Sequence, residues 1–241
     1  METQLFSPVK WFLRPLYRSV RKRYWRTRGV PYDVVGQRLR FVLGTEPSYL
    51  RDQTSFGQEM NRRQLGFVVR TLQRGDVFVD VGAYIGLYSL LAAKVVGANG
   101  RVIAFEPYPG SRELLNKNVS LNGLADIVRV ESSAIGDELG VTELRAAGVC
   151  SANTLTPNTV KAFGDEQAIS TVTVSVTTLD EYCERGQIVP SFVKIDVEGW
   201  ELHVLRGMER VLRGGAVVVC EMRVFRRICG SYGQKSEEEA D

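Results

Sequence analysis

From residue 75 onward, apolar positions fall into short runs that alternate with stretches of helical spacing. Val77–Val81, Val102–Phe105, Ile127–Val130 and Ala216–Cys220 are apolar runs of strand length. Between them, Gly86–Val96 is almost wholly apolar and Pro109–Asn122 is amphipathic and closed by Gly123, so both are predicted helices. Glu201–Leu212 is predicted as one further helix, with Leu202, Leu205, Met208 and Leu212 as its buried stripe and His203 facing solvent beside Trp200, Gly207 and Arg210. Strands and helices in turn predict an α/β three-layer sandwich, with a mainly parallel sheet covered on both faces.

Upstream, "RLRFVLG" alternates Leu39, Phe41 and Leu43, which reads as a strand of a small hairpin. Leu65, Val68, Val69 and Leu72 mark an amphipathic helix closed by Arg74-Gly75-Asp76. A polar, strand-prone insertion spans Gly136–Thr178, and the closing "GSYGQKSEEEAD" is expected to be frayed. The segment "SFVKIDVEGWEL", residues 191–202, breaks the simple pattern. Phe192, Val193, Ile195 and Val197 suit a buried strand, yet Lys194, Asp196 and Glu198 occupy every second position and fall on one face.

Composition adds few constraints. Hydrophobic residues make up 44% and charged ones 24% of 241, as in ordinary globular proteins, and no apolar run reaches the length of a membrane span. Cys150, Cys183, Cys220 and Cys229 form no C-x-x-C pair and His203 is the only histidine, so neither a zinc site nor a disulfide framework is expected. The cysteines read as small apolar residues, and a reducing cytoplasm, with no signal peptide, is the expected location.

Charge is more informative in its distribution. Residues 1–30 hold eight basic residues, from Lys10 to Arg28, against Glu2 alone; that +7 within a whole-chain +3 leaves −4 for the rest. Leu13, Leu16, Tyr17, Val20 and Tyr24 follow helical spacing there, so the arm is written either as an interfacial helix for anionic membrane or as a solvated helix packed on the body. Nucleic acid is not expected, because the rest of the chain offers no basic groove. The resulting division is a basic arm over 1–30, a hairpin and helix over 31–74, the main domain over 75–225 and a polar tail over 226–241.

The stretch "VFVDVGAYIGLYSL" carries the sharpest chemistry: a strand, a glycine turn and the start of a helix. Gly82 and Gly86 permit a tight turn and close approach of a ligand, and free amides at the helix start would attract a negative group. The spacing is G-x-x-x-G rather than the G-x-G-x-x-G of nicotinamide sites, and Asp80 at the strand end is ill suited to a pyrophosphate. It suits a cofactor with an ammonium, a carboxylate and a ribose: Asp80 for the first, the helix terminus at Ser89 for the second, and Glu106, ending "RVIAFEP", for the ribose hydroxyls.

These residues, with "AFEP", "SAIGD", "TTLDEY" and "KIDVEGWEL" following in order, resemble the FkbM-type family of S-adenosylmethionine-dependent methyltransferases over Glu59 to Met222. The resemblance implies the class I methyltransferase, Rossmann-like fold and methylation of hydroxyl groups on sugars, glycolipids or polyketides. It places Asp80, Gly82, Ala83, Tyr84 and Gly86 around the methionine part of the cofactor, Glu106 on the ribose, and Ser133 with Ala134 beside the adenine. Two departures stand out: the family carries Asn where this chain has Tyr84, and only about twenty residues follow "VVVCEM", without the alternating strands that would finish such a sheet. A truncated relative that binds cofactor or partner without turnover is therefore the alternative.

In an open parallel sheet, ligands bind beyond the carboxyl ends of the strands. Asp196 and Glu198 are accordingly expected in the acceptor cleft, joined by Glu221 from the next strand and neutralised from below by Lys194. Such acids could take a hydroxyl proton, orient a sugar or hold a divalent cation, although no metal site is assigned.

Overall fold

The computed structural model describes residues 28–42, 57–146, 154–155 and 170–222. Most of the basic arm and the polar tail, including the expected absence of finishing strands, lie outside the described residues, as do Cys150 and Cys229. The chain begins with the hairpin β1 (Val30–Val34) and β2 (Gln37–Phe41), whose two-residue turn holds Val35 at φ 49° and Gly36 at φ 77°. Positive φ at both turn positions matches the right-handed twist of paired strands.

Helix α1 (Gly57–Thr71) leads to β3 (Val77–Val81), α2 (Leu87–Val96), β4 (Arg101–Phe105), α3 (Pro109–Leu121) and β5 (Val128–Glu131). After the insertion come α4 (Leu179–Gly186), β9 (Phe192–Ile195), α5 (Glu201–Arg206), α6 (Glu209–Arg213) and β10 (Val217–Cys220). The main sheet has the order β10-β9-β3-β4-β5, parallel throughout. Its two faces explain the unbroken apolar runs. Phe78, Val102, Ala104, Val128 and Phe192 pack on α1–α3 and the hairpin, while Val79, Val81, Ile103, Phe105, Val193 and Ile195 pack on α4–α6.

The insertion forms a separate three-stranded sheet, β6 (Ala134–Ile135), β8 (Ser170–Thr177) and β7 (Gly140–Ala146) in that spatial order. Its small core of Ala134, Leu144, Leu155 and Val174 meets Trp200.

The predicted helix over 201–212 is two short helices. The backbone breaks at Gly207 and Met208 because Gly207 lies directly against the carbonyl of Gly136, where a Cβ would overlap it. Asp180 of α4 starts α6 anew, accepting the amides of Arg210 at 2.9 Å and Val211 at 3.0 Å. The buried face is also different: Glu201, Val204, Met208 and Val211 point inward, while Leu202 and Leu212 are exposed. Helix α4 was visible only as the motif "TTLDEY"; Thr178 caps it by accepting the Glu181 amide at 3.1 Å.

Two asparagines one turn apart, Asn118 in α3 and Asn122 at its C-cap, fasten the hairpin to the sandwich. Asn118 Oδ1 accepts the Val42 amide at 2.6 Å and its Nδ2 donates to Ile85 O at 2.9 Å, while Asn122 Oδ1 accepts the Arg40 amide at 2.9 Å and its Nδ2 donates to Arg40 O at 2.7 Å. The pair substitutes for a neighbouring strand along β2. Asn118→Leu, which keeps the volume but strands these buried groups, is expected to destabilise the fold by about 3 kcal/mol, read by urea unfolding.

Candidate active site

The chain runs from β3 outward through β4 to β5 and then returns to the other side of β3 as β9 and β10. A cleft opens at the carboxyl ends of β3, β4 and β9, where an open α/β sheet forms its crevice. Val81, Gly82 and Tyr84 come from the end of β3, and Phe105, Glu106 and Pro107 from the end of β4. Asp196, Val197, Glu198 and Trp200 follow β9, and the insertion contributes Ala134, Ile135, Leu144 and Leu155.

The glycine turn is built for close backbone packing. Gly82, at φ 82°, lies against the Asp196 carbonyl, and a Cβ there would overlap that oxygen. Four amides of the turn ahead of the helix are bound within the protein. Gly82 N and Ala83 N both donate to Phe105 O, at 3.1 and 3.0 Å, Tyr84 N donates to Glu106 Oε2 at 2.8 Å, and Gly86 N donates to Ala83 O at 2.8 Å. Tyr84 sits at φ 52°, a left-handed conformation that Asn tolerates better than Tyr.

Glu106 is buried yet reaches the cleft wall. Its Oε2 accepts the Tyr84 amide and its Oε1 the Tyr108 amide at 2.9 Å, which fixes the carboxylate and leaves lone pairs on both oxygens. Burial nevertheless outweighs these donors and pushes its pKa up to about 7.

Asp80 does not line the cleft. It is completely buried, accepts a hydrogen bond from Ser89 Oγ at 2.6 Å, and has Lys194 Nζ 3.6 Å from Oδ1. Asp80 and Lys194 are register partners on adjacent strands. Desolvation raises the Asp80 pKa against the attraction of Lys194. The Asp80 and Ser89 side chains thus bind each other behind the cleft wall. Lys194, also buried, reaches forward to Asp196 Oδ2 at 3.1 Å and lies 4.8 Å from the centre of the Tyr88 ring. Tyr88 in turn donates from its hydroxyl to Gln64 Oε1 at 2.9 Å.

The alternation of charges stops at the strand end. Asp196 enters the cleft as expected, but Glu198 does so through a turn at φ 55°, followed by Gly199 at φ 100°. Glu221 is exposed and outside the cleft wall, so the acids that meet there are Asp196, Glu198 and Glu106. Among the described residues, no group of three or more His, Cys, Asp or Glu side chains is placed to hold a metal ion. Ala134 is in the wall, while Gly86, Ala83 and the half-buried Ser133 are not.

Trp200, on the helix face expected to carry His203 to solvent, lines the cleft, with the His203 ring stacked on it at 3.7 Å. His203 faces outward as predicted and holds Asp137 Oδ2 at 2.8 Å. The apolar wall from Phe105, Pro107, Leu144 and Leu155 was not identified from sequence; the motif "AFEP" was the one hint of its first two members. Cys183 and Cys220 are free thiols whose pKa burial pushes up to about 11, in keeping with an apolar role.

A parallel sheet of this order, with a glycine turn after its central strand and an acid ending the next, defines an α/β protein of the Rossmann-like class. The profile of the methyltransferase FkbM domain matches residues 80–234, and the chain belongs to that family of methyltransferases. It is 27% identical over 193 residues to the hexuronic acid methyltransferase AglP of Haloferax volcanii, covering 79% of this chain and 72% of that protein. It is 28% identical over 165 residues to the methyltransferase sdnD of Sordaria araneosa, covering 58% of this chain and 63% of that one. Among solved structures, it is similar to a precorrin-6y C5,15-methyltransferase from Geobacter metallireducens, at 17% identity and TM-score 0.38 over 66% of this chain and 60% of that one. An O-methyltransferase from Bacillus cereus in complex with SAH gives 16% identity and TM-score 0.34 over 65% and 57%.

Lys194 shares its one positive charge between two carboxylates, so removing it leaves the buried Asp80 without its nearest cation. Lys194→Met is expected to destabilise the protein by about 3 to 5 kcal/mol in urea unfolding, and adding Asp80→Asn to that variant should recover part of the loss.

Proposed function

We propose that the chain transfers a methyl group from S-adenosylmethionine to a hydroxyl on a sugar, glycolipid or polyketide-like acceptor. The observation that carries this reading is the cleft wall, in which the described side chains charged at neutral pH are all acids and Glu106 is held by two backbone amides with lone pairs to spare. That donor set fits a cationic ligand with a ribose diol and opposes a pyrophosphate. A relative named for its action on hexuronic acid supports a sugar-type acceptor.

When bound, S-adenosylmethionine supplies a methyl group already activated by the adjoining sulfonium. Glu106 would hold the ribose hydroxyls, and the turn from Gly82 to Gly86, its base fixed by Asp80 and Ser89, would take the methionine part. Ser133 and Ala134 would take the adenine. Asp196 accepts the proton of the acceptor hydroxyl, and Lys194, 3.1 Å from its Oδ2, holds it aimed into the cleft. The apolar wall excludes water around the reacting groups.

Two measurements test these roles. S-adenosylhomocysteine is expected to raise the melting temperature and NAD to leave it unchanged, with Glu106→Ala weakening S-adenosylhomocysteine binding by about 1 to 3 kcal/mol. The pH dependence has a definite sign. A raised acid favours the folded state at low pH, so the Glu106 contribution to ligand-free stability is lost as pH rises from about 4.5 through about 7. Ligand affinity moves the opposite way, falling as pH drops below about 7, and the variant lacks both effects.

Asp196→Asn keeps the shape but cannot take the proton. Calorimetry should find S-adenosylhomocysteine affinity almost unchanged, while labelled methyl transfer to acceptors found in a glycoside and glycolipid screen falls by about 100-fold. Equal loss of both would assign Asp196 to the cofactor instead.

A further inference from the structure

The described basic side chains fall into two sets. Lys117, Arg129, Arg185, Arg206, Arg210 and Arg213 are exposed, and each stands within ion-pair distance of a carboxylate. Arg40, Arg70, Arg74, Lys94 and Arg101 have no ion pair among the described residues. The second set is confined to one end of the sandwich. Arg70 is in the last turn of α1 and Arg74 follows that helix, Lys94 is in the last turn of α2, and Arg101 opens β4. These positions belong to the amino ends of the strands, whereas the cleft lies at their carboxyl ends.

Contacts make this patch continuous. The Arg74 guanidinium lies beside Gly97, just after α2, and Gly75 N donates to Val96 O at 2.9 Å. Lys94 Nζ donates to Asn122 O at 3.4 Å, Asn122 binds both backbone groups of Arg40, and Arg40 Nη1 donates to Arg28 O at 2.8 Å. These acceptors are neutral carbonyls, so the positive charges remain. Of the acids at this end, Asp76 is half-buried and accepts the Gln73 amide at 2.8 Å, Asp33 accepts the Gly36 amide at 2.9 Å in the hairpin turn, and Asp126 is exposed. A body that is acidic outside the arm thus has one basic end, and an opposite end where Glu106, Asp196 and Glu198 line the cleft. The basic arm joins the described chain at Arg28, within this patch.

We propose that the basic end of the body docks, together with the arm, on an anionic phospholipid surface, with the cleft opening away from the bilayer. The inference is independent of the cofactor assignment. Charge complementarity carries the body's part: cations held within about 10 Å of a negative surface are attracted to it with little screening at about 0.1 M salt. The arm's sequence selects lipid as the anion. Its cations are interspersed with Leu13, Leu16 and Val20 at helical spacing and with Trp11 and Trp25. Aliphatic side chains gain nothing from phosphates in water, whereas an acyl layer beneath the headgroups buries them and suits indole rings at its boundary. In this orientation an acceptor reaches the cleft from the aqueous side.

Sedimentation of the full chain with vesicles tests this. Wild type is expected to bind phosphatidylserine-rich vesicles at least about tenfold more tightly than pure phosphatidylcholine, and to be released as KCl rises from about 50 mM to about 500 mM. Replacing Arg70, Arg74 and Arg101 together by Gln, all three exposed, is expected to weaken binding about 100-fold. Lys117→Gln with Arg206→Gln, taken from ion pairs elsewhere, should change it by less than about threefold. Binding indifferent to lipid charge or to salt overturns the proposal, and both comparisons use wild type, so they hold whether or not the variants fold. A folded triple variant that binds like wild type also overturns it, because the arm then acts without the body. Displacement from the vesicles by single-stranded RNA at equal phosphate concentration assigns the surface to nucleic acid instead.

Discussion

The charge pair between Asp80 and Lys194 ties the centre of the sheet to the cleft. The two residues face each other across β3 and β9, the strands between which the chain reverses its direction of travel through the sheet. Both point to the α2 side, where Ser89 Oγ binds Asp80 and the Tyr88 ring lies beside Lys194. Neither charge could be buried alone at tolerable cost. Together they fix the register of β3 on β9, seat the first turn of α2, and extend forward to Asp196, so one internal ion pair reaches from the core to a carboxylate of the cleft wall.

The same economy governs the glycine turn. The amides of Gly82, Ala83, Tyr84 and Gly86 bind Phe105 O, Glu106 and Ala83 O, which fixes the shape of the turn. Polarity in the cleft comes from carboxylates: Glu106 oriented by backbone amides, Asp196 by Lys194, and Glu198 by a strained backbone. The apolar surfaces of Phe105, Leu144, Leu155 and Trp200 enclose the remainder. The small insertion sheet therefore completes the cleft that the main sheet begins.

Much of the main sheet was legible in the chain. β3 spans the predicted run from Val77 to Val81, and β4, β5, β9 and β10 lie within a residue or so of their apolar runs, because a strand buried on both faces must be apolar along its whole length. Periodicity also located α1, α2 and α3, and the strand-end rule put Glu106 and Asp196 at the cleft. Local pattern determined those features, since each depends on which faces a segment must bury.

The remaining features were decided by partners distant in sequence. One helix became two because Gly207 meets Gly136 and Asp180 caps Arg210 and Val211; nothing within residues 201–212 encodes either contact. Asp80 and Ser89 bind each other behind the wall, and only the register of β3 on β9 sets Lys194 opposite Asp80. Glu198 left the strand rhythm through a left-handed turn, and Trp200 became cleft wall because the insertion sheet packs against it. Sequence determined which segments are strands and helices and which acids end them, because burial acts segment by segment; tertiary structure alone decided which of those charges face one another and which face the cleft, because that depends on register between segments far apart in the chain.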